Sequence, residues 1–129
     1  MSELIQQATD AAANAYAPHS GIQVGCALET VAGNTFTGCN VENASYGLTI
    51  CAERNAIFHG VAEEGPMMKI ARLAVIALGH EFPPCGACRQ VIAEFSLNDG
   101  ATEIAWWKGG APNVVKLRDL LPSVFSFQK

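Results

Sequence analysis

A chain of 129 residues can bury one hydrophobic core and is short for two, so a single domain over residues 1–129 is expected. Half of the residues are apolar and 16% are charged, which excludes a disordered chain, and the longest apolar run, residues 73–78, is too short to cross a bilayer. Eight Lys and Arg in no run, under a formal net charge of −4, argue against a nucleic-acid partner and for a small, uncharged substrate, because phosphate neutralisation supplies most nucleic-acid affinity.

Met1-Ser2-Glu3 opens without the basic region and apolar core of a secretory signal, so a cytoplasmic protein is expected. The five cysteines, Cys26, Cys39, Cys51, Cys85 and Cys88, are odd in number. Without a secretory signal, that points to thiols and a metal and away from a disulfide framework.

Leu4, Ile5, Ala8, Ala12 and Ala15 recur at helical spacing and predict an amphipathic helix over 2–16, ended by Ala17-Pro18. Ile22, Val24, Cys26 and Leu28 then alternate with Gln23, Gly25, Ala27 and Glu29, which is strand period. The turn Ala32-Gly33-Asn34 and a second strand over 35–41 complete a hairpin. Cys26 and Cys39 read as buried structural thiols. Residues 40–47, Asn40-Val41-Glu42-Asn43-Ala44-Ser45-Tyr46-Gly47, are polar and irregular. Two readings fit this stretch: a binding loop whose Asn40 and Glu42 grip a pair of hydroxyls, or a connection of Asx turns leading into a helix.

That helix is predicted over 51–62, with Ala52, Ala56, Ile57 and Val61 as its buried stripe and Gly60 loosening its end. Cys51 falls at its N-terminus, where the dipole and free N–H groups favour a thiolate. Glu53 falls in the first turn, and His59 reads as a surface residue. Glu63-Glu64-Gly65-Pro66 reads as a solvated linker, and residues 70–78 as a strand buried on both faces. A loop over 79–84 leads to a third helix over 85–97. Cys85 and Cys88 share one face of its first turn, and Val91, Ile92 and Phe95 form its buried side. A strand over 103–107, another at Val114-Val115, and a short helix over 117–121 stopped by Pro122 finish the chain. Strands alternating with helices imply an α/β fold of three layers, α/β/α, around a mixed sheet of about five strands.

Taken alone, Cys85-x-x-Cys88 at a helix start fits a redox pair and a metal site equally. A redox pair needs neither a third thiol nor the adjacent Cys51-x-Glu53, so the balance moves to metal. Three thiolates make a zinc site one ligand short of closed, the layout of a catalytic centre, whereas a structural zinc wants four. His80 could serve as the fourth only through a loop that turns back. Glu53 is placed to move protons for a water at the open position. Three thiolates leave Zn²⁺ with a net charge of −1, which two helix N-termini and Arg54, donating to the sulfurs, would offset.

Cys51-Ala52-Glu53 followed by Pro84-Cys85-Gly86-Ala87-Cys88 matches the zinc deaminase signature. The strings Thr37-Gly38-Cys39-Asn40-Val41-Glu42-Asn43-Ala44-Ser45-Tyr46-Gly47 and Cys85-Gly86-Ala87-Cys88-Arg89-Gln90-Val91 resemble the small cytidine deaminases with an all-cysteine zinc site, over about residues 15–125. The resemblance implies that Cys51, Cys85 and Cys88 hold zinc. Glu53 would take a proton from water, pass it to ring N3, and then give the leaving ammonia a second proton from the same oxygen, turning cytidine or 2′-deoxycytidine into the uracil nucleoside in pyrimidine salvage. Asn40 and Glu42 would bind the ribose hydroxyls, with Ala52 and Ile22 bordering the base. It also implies a homotetramer with shared active sites, in which Ala44 and Tyr46 come from a neighbour and Phe125 closes over the base. Trp106, Trp107, Phe125 and Phe127 would then be exposed aromatics available for burial between subunits, or else part of the chain's own core.

Two departures bear on substrate. The family usually reads Pro-Tyr-Ser-x-Phe where this chain has Pro18-His19-Ser20-Gly21-Ile22, and Pro83 stands for a hydroxyl-bearing residue. Ile22 offers a smaller, non-planar wall, so the alternative reading is a deaminase of a modified cytosine or another aminopyrimidine nucleoside, such as a cytosine-containing antibiotic nucleoside.

Overall fold

A strand that is apolar on both faces must be covered on both sides, and that requirement organises the molecule. A computed structural model describes residues 1–127. Helix α1 (Ser2–Ala12) precedes a hairpin of β1 (Val24–Thr30) and β2 (Thr35–Cys39). Then follow α2 (Ala52–Glu64), β3 (Ile70–Ala77) and α3 (Gly86–Glu94). A second hairpin, β4 (Glu103–Lys108) and β5 (Ala111–Lys116), and the short α4 (Leu117–Leu120) complete the order. The sheet runs β2-β1-β3-β4-β5. Its central strand β3 is antiparallel to β1 and parallel to β4, so the sheet is mixed.

On one face, Leu4, Ile5 and Ala8 of α1 pack on Ala27, Ala74 and Ile76. On the other, Cys26, Leu28, Leu73 and Val75 lie under Ile57 of α2 and Ile92 of α3. The period-2 alternation of β3 thus sends successive side chains into two different cores. This is the three-layer α/β/α arrangement that the alternation of elements implied. Two glycines set how closely the helices sit. A Cβ at Gly25 would stand 1.9 Å from the Ala8 carbonyl oxygen, and one at Gly38 2.5 Å from the Ala56 nitrogen.

The elements differ from their expected bounds for identifiable reasons. Helix α1 stops at Ala12, not at 16, because the backbone of Tyr16 leaves to pair with the loop after β2: its N–H donates to the Asn40 carbonyl (3.0 Å) and its carbonyl accepts from Glu42 N–H (2.8 Å). Strand β1 starts at Val24 and β2 ends at Cys39, which is half-buried, not buried. Helix α2 extends past 62 to Glu64 and ends at Gly65, whose φ of 82° needs glycine. Gly60 does not loosen that helix. It is buried, and a Cβ there would meet the Phe36 ring at 3.2 Å. Glu64 is not solvated linker either, since it accepts from Thr30 Oγ1 and Asn34 Nδ2, both at 2.7 Å.

Helix α3 ends at Glu94, three residues early, because the Phe95 carbonyl accepts from Ile70 N–H (2.8 Å) at the start of β3. Strand β5 is longer than expected and tolerates Pro112 because it is an edge strand. Trp106 is a core residue, 7% exposed, and Trp107 packs half-buried beside the α1 layer. Of the four late aromatics only Phe125 (72%) and Phe127 (78%) stand in solvent. No helix among the described residues is long and apolar enough to cross a membrane.

Candidate active site

Two helices begin at cysteines on the same face of the sheet. Cys51 is the N-cap of α2 and Cys85 the N-cap of α3, neither capping through its side chain, and Cys88 lies within the first turn of α3. Gly38 seats α2 on β2, and Asn55 Nδ2 ties it there by donating to the Cys39 carbonyl at 2.8 Å. On the other side, Arg89 donates through Nε to the Pro84 carbonyl (2.8 Å) and through Nη1 to the Leu120 carbonyl (3.0 Å). That fixes the turn into Cys85. The three sulfurs lie within 4.8 Å of one another. Thiolates sharing one tetrahedral zinc at about 2.3 Å stand roughly 3.8 Å apart, a spacing this donor set accommodates.

The electrostatics favour a thiolate at Cys51. Hydrogen bonding from Cys88 holds the Cys51 thiol down to about 5 against the cost of burial, and Arg54 adds to the effect by hydrogen bonding and by charge. Cys88 moves the other way, raised by its hydrogen bond to Cys51 and then by burial and by Glu53. A metal bound by both sulfurs would take them as thiolates and release the protons they hold. Arg54 Nη2 donates to Cys51 Sγ at 3.3 Å, while its Nε is buried without a partner. Its cation therefore serves the sulfurs, and its charge also draws the Glu53 carboxyl down against burial. Redox chemistry at Cys85-x-x-Cys88 would not call for this third sulfur and its arginine.

Glu53, one residue inside α2, is 4% exposed. Burial pushes its carboxyl up to about 7, and the charge of Cys51 adds to that, against hydrogen bonds from its own N–H and from Cys88. A carboxyl poised near neutrality can both take and give a proton. Cys26, fully buried on β1, lies near enough for Glu53 to raise its thiol further after burial has done so. The expectation of a structural thiol there agrees with its position.

Cys51, Cys85 and Glu53 line a cavity of about 150 Å³, together with Asn40 and Ala52. Asn40 is 8% exposed and braces the strand ahead of it: Oδ1 accepts from Val24 N–H (2.9 Å) and Nδ2 donates to the Ile22 carbonyl (2.9 Å). Glu42 lies in an adjoining depression of about 380 Å³ with His19, Ser20, Tyr46 and Thr49. Thr49 lines both spaces and joins them. Glu42 Oε1 accepts from His19 N–H (2.8 Å) and Ser20 N–H (3.0 Å), and Oε2 from the Ser20 hydroxyl. These bonds hold its carboxyl below the ordinary range, the Ser20 side chain contributing most. The Asx-turn reading also applies locally, since Ser45 N–H donates to Asn43 Oδ1 at 2.9 Å.

Other expected residues stand outside the cavity. Ile22 is half-buried, its carbonyl accepts from Asn40 Nδ2, and Val24 is the residue of this segment that lines the cavity. Ala44 and Tyr46 (77% exposed) face solvent, Tyr46 edge-on to His19 with ring centroids 5.8 Å apart. Phe125 is exposed and touches the neighbouring helix through its carbonyl, which accepts from Gln90 Nε2 at 3.2 Å. His80 is an exposed loop residue outside the sulfur cluster. Reading the sequence missed Thr49, Val75 and Phe82 as cavity walls. Only Phe82 carried a signal, an apolar ring in a loop directly before a cysteine pair. A larger groove of about 510 Å³, bordered by Glu94, Leu117 and Val124, lies away from the thiols.

Comparison with known proteins agrees with this geometry. Residues 1–101 match the family model described as the cytidine and deoxycytidylate deaminase zinc-binding region. The chain is 42% identical over 123 residues to the cytidine deaminase of Halalkalibacterium halodurans, covering 95% of this chain and 92% of that one. Its structure superposes on the crystal structure of cytidine deaminase from Burkholderia pseudomallei with a TM-score of 0.85 at 43% identity, over 96% of this chain and 98% of that chain. For the Mycobacterium tuberculosis cytidine deaminase the TM-score is 0.84 at 38% identity, over 98% and 97%. With three thiols converging beside a buried glutamate, and with these likenesses over nearly its whole length, the chain belongs to the cytidine and deoxycytidylate deaminase family.

Proposed function

We propose that the protein hydrolyses the exocyclic amine of cytidine and 2′-deoxycytidine, releasing ammonia and the uracil nucleoside. The observation that carries this reading is the convergence of the Cys51, Cys85 and Cys88 sulfurs, two of which line one cavity together with Glu53. Cys51, Cys85 and Cys88 would hold zinc, which when bound would supply the Lewis acidity that makes water a nucleophile near neutral pH. Glu53 takes one proton from the attacking water and delivers it to ring N3, then takes the second proton from the same oxygen and gives it to the amine, which departs as ammonia while C4 keeps the oxygen as a carbonyl. Its buried carboxyl near pH 7 suits both transfers. Arg54 holds Cys51 as a thiolate.

Asn40 and Glu42 orient the ribose from the cavity and its adjoining depression, and the join at Thr49 gives the nucleoside a path between them. Glu42, kept ionised by Ser20 and His19, is an acceptor-only group suited to hydroxyl donors. Ala52 borders the base from the start of α2. A modified cytosine nucleoside is the less favoured substrate, because Ile22, whose small size motivated it, does not line the cavity. The acidic balance and the absence of a basic run speak against nucleic acid.

The assembly we propose is a homotetramer, in the cytoplasm, serving pyrimidine salvage. Its support is that Tyr46, Phe125 and Phe127 stand more than two-thirds exposed, as residues reaching into a neighbour's site would in the free chain. The test of function is ammonia release from cytidine by zinc-loaded protein beside Glu53→Gln. Release by the native protein alone supports the reading. No release from a folded, zinc-loaded tetramer overturns it.

A further inference from the structure

We propose that Phe82 forms the aromatic wall against which the substrate's pyrimidine ring packs, and that Glu81 positions it; this deepens the deaminase reading and rests on it. Phe82 and Pro83 border the cavity that holds Cys51, Cys85 and Glu53. The Phe82 side chain is 40% exposed there, an apolar ring left in water beside the reacting groups. The His80 ring backs it, centroids 6.0 Å apart and planes at 30°. Planar heterocycles stack well on such a face.

The loop that carries Phe82 has no helix or strand of its own between residues 79 and 84. Its start is fixed where Gly79, at φ 77°, turns the chain and His80 N–H donates to the Ala77 carbonyl at 3.2 Å. Its end is fixed by buried Pro84, whose carbonyl takes the Arg89 Nε bond. Between these stops the Glu81 carboxylate accepts Gly109 N–H on Oε1 and Gly110 N–H on Oε2, each at 2.9 Å. Gly109 and Gly110 form the two-residue turn of the β4–β5 hairpin, with φ of 63° and 77°, a conformation that favours glycine and leaves both amides free for one anion. Two charge-assisted bonds thus tie the loop to the sheet one residue from the Phe82 ring. Glu81 is a positioning residue: it touches no substrate and acts through its neighbour.

The test measures cytidine binding by calorimetry to zinc-loaded Glu53→Gln protein, where turnover is blocked, with and without further changes at 81 and 82. Phe82→Ala is expected to weaken binding about tenfold, the scale of one base–aromatic stack, with Phe82→Leu intermediate. Glu81→Ala should weaken it less, and the double change should be no worse than Phe82→Ala alone. In otherwise native protein the loss should appear in KM with kcat and zinc content retained. Parent-like binding by Phe82→Ala overturns the proposal, as does an additive double change, which would make Glu81 a merely structural clamp. Failure of the Glu53→Gln parent itself to bind cytidine overturns the nucleoside reading and this proposal with it, a result distinct from the other two.

Discussion

Arg54 and Cys51, one helical turn apart, meet across 3.3 Å, the guanidinium donating to the sulfur. The contact joins a cation to a thiol that is already drawn down to about 5, first by Cys88 and then by this arginine. Removing the donor raises the Cys51 thiol, and a raised thiol must be deprotonated at greater cost before a metal can bind. Arg54→Gln is therefore expected to weaken zinc binding about 10- to 100-fold at neutral pH and to move the midpoint of acid-induced zinc loss to higher pH. Competition with a chromophoric chelator across a pH series measures both.

Gly38 is the seat of α2, and Ala56 leaves no space for a methyl group there. Gly38→Ala must push the helix off β2 and carry Cys51 and Glu53 with it. A loss of about 1–3 kcal/mol in unfolding free energy is expected, with kcat falling further than the stability loss explains. Urea unfolding and steady-state kinetics on the same preparation separate the two effects.

Glu42 titrates below the ordinary carboxylate range because Ser20 and His19 hydrogen-bond its ionised form. With the folded value depressed, this contact stabilises the loop fully above the unfolded carboxylate pKa, and the contribution is lost as pH falls through the folded one. Ser20→Ala removes the largest cause and moves the folded value up. The lower of the two breaks in the acid limb of kcat/KM, beneath the one set by Glu53, should then shift to higher pH, with kcat at pH 7 little changed. An unshifted lower break would detach Glu42 from substrate binding.

Zinc removal should destabilise the fold as well as abolish activity. Two helix N-termini and Arg54 face one sulfur cluster, so a metal that binds only the folded state adds stability by mass action, about 2.7 kcal/mol at a free zinc concentration 100 times Kd. Differential scanning calorimetry should show Tm falling with chelator and recovering on addition of zinc. A Cys88→Ser protein should show neither change.

Much of this was legible in the chain itself. Part of the metal-ligand pattern is local: Cys51 two residues before Glu53, and Cys85 three residues before Cys88, each sit in one helical turn, so spacing marked them as candidates and the resemblance implied their roles. The apolar run at 70–78 announced a strand covered on both faces, because side-chain period depends only on the backbone. What the sequence left open involves partners far apart in it. Only the folded chain shows that β3 pairs antiparallel on one side and parallel on the other, that Trp106 is core while Phe125 is not, and that Val24 and Phe82 line the cavity in place of Ile22. Glu81 and the Gly109–Gly110 turn are linked across 28 residues or more, and no local pattern in either segment names the other. Local spacing picked out three candidate metal-binding thiols and a candidate proton carrier. The tertiary structure decided the walls around them, because a wall is made of surfaces that meet only after distant segments have packed.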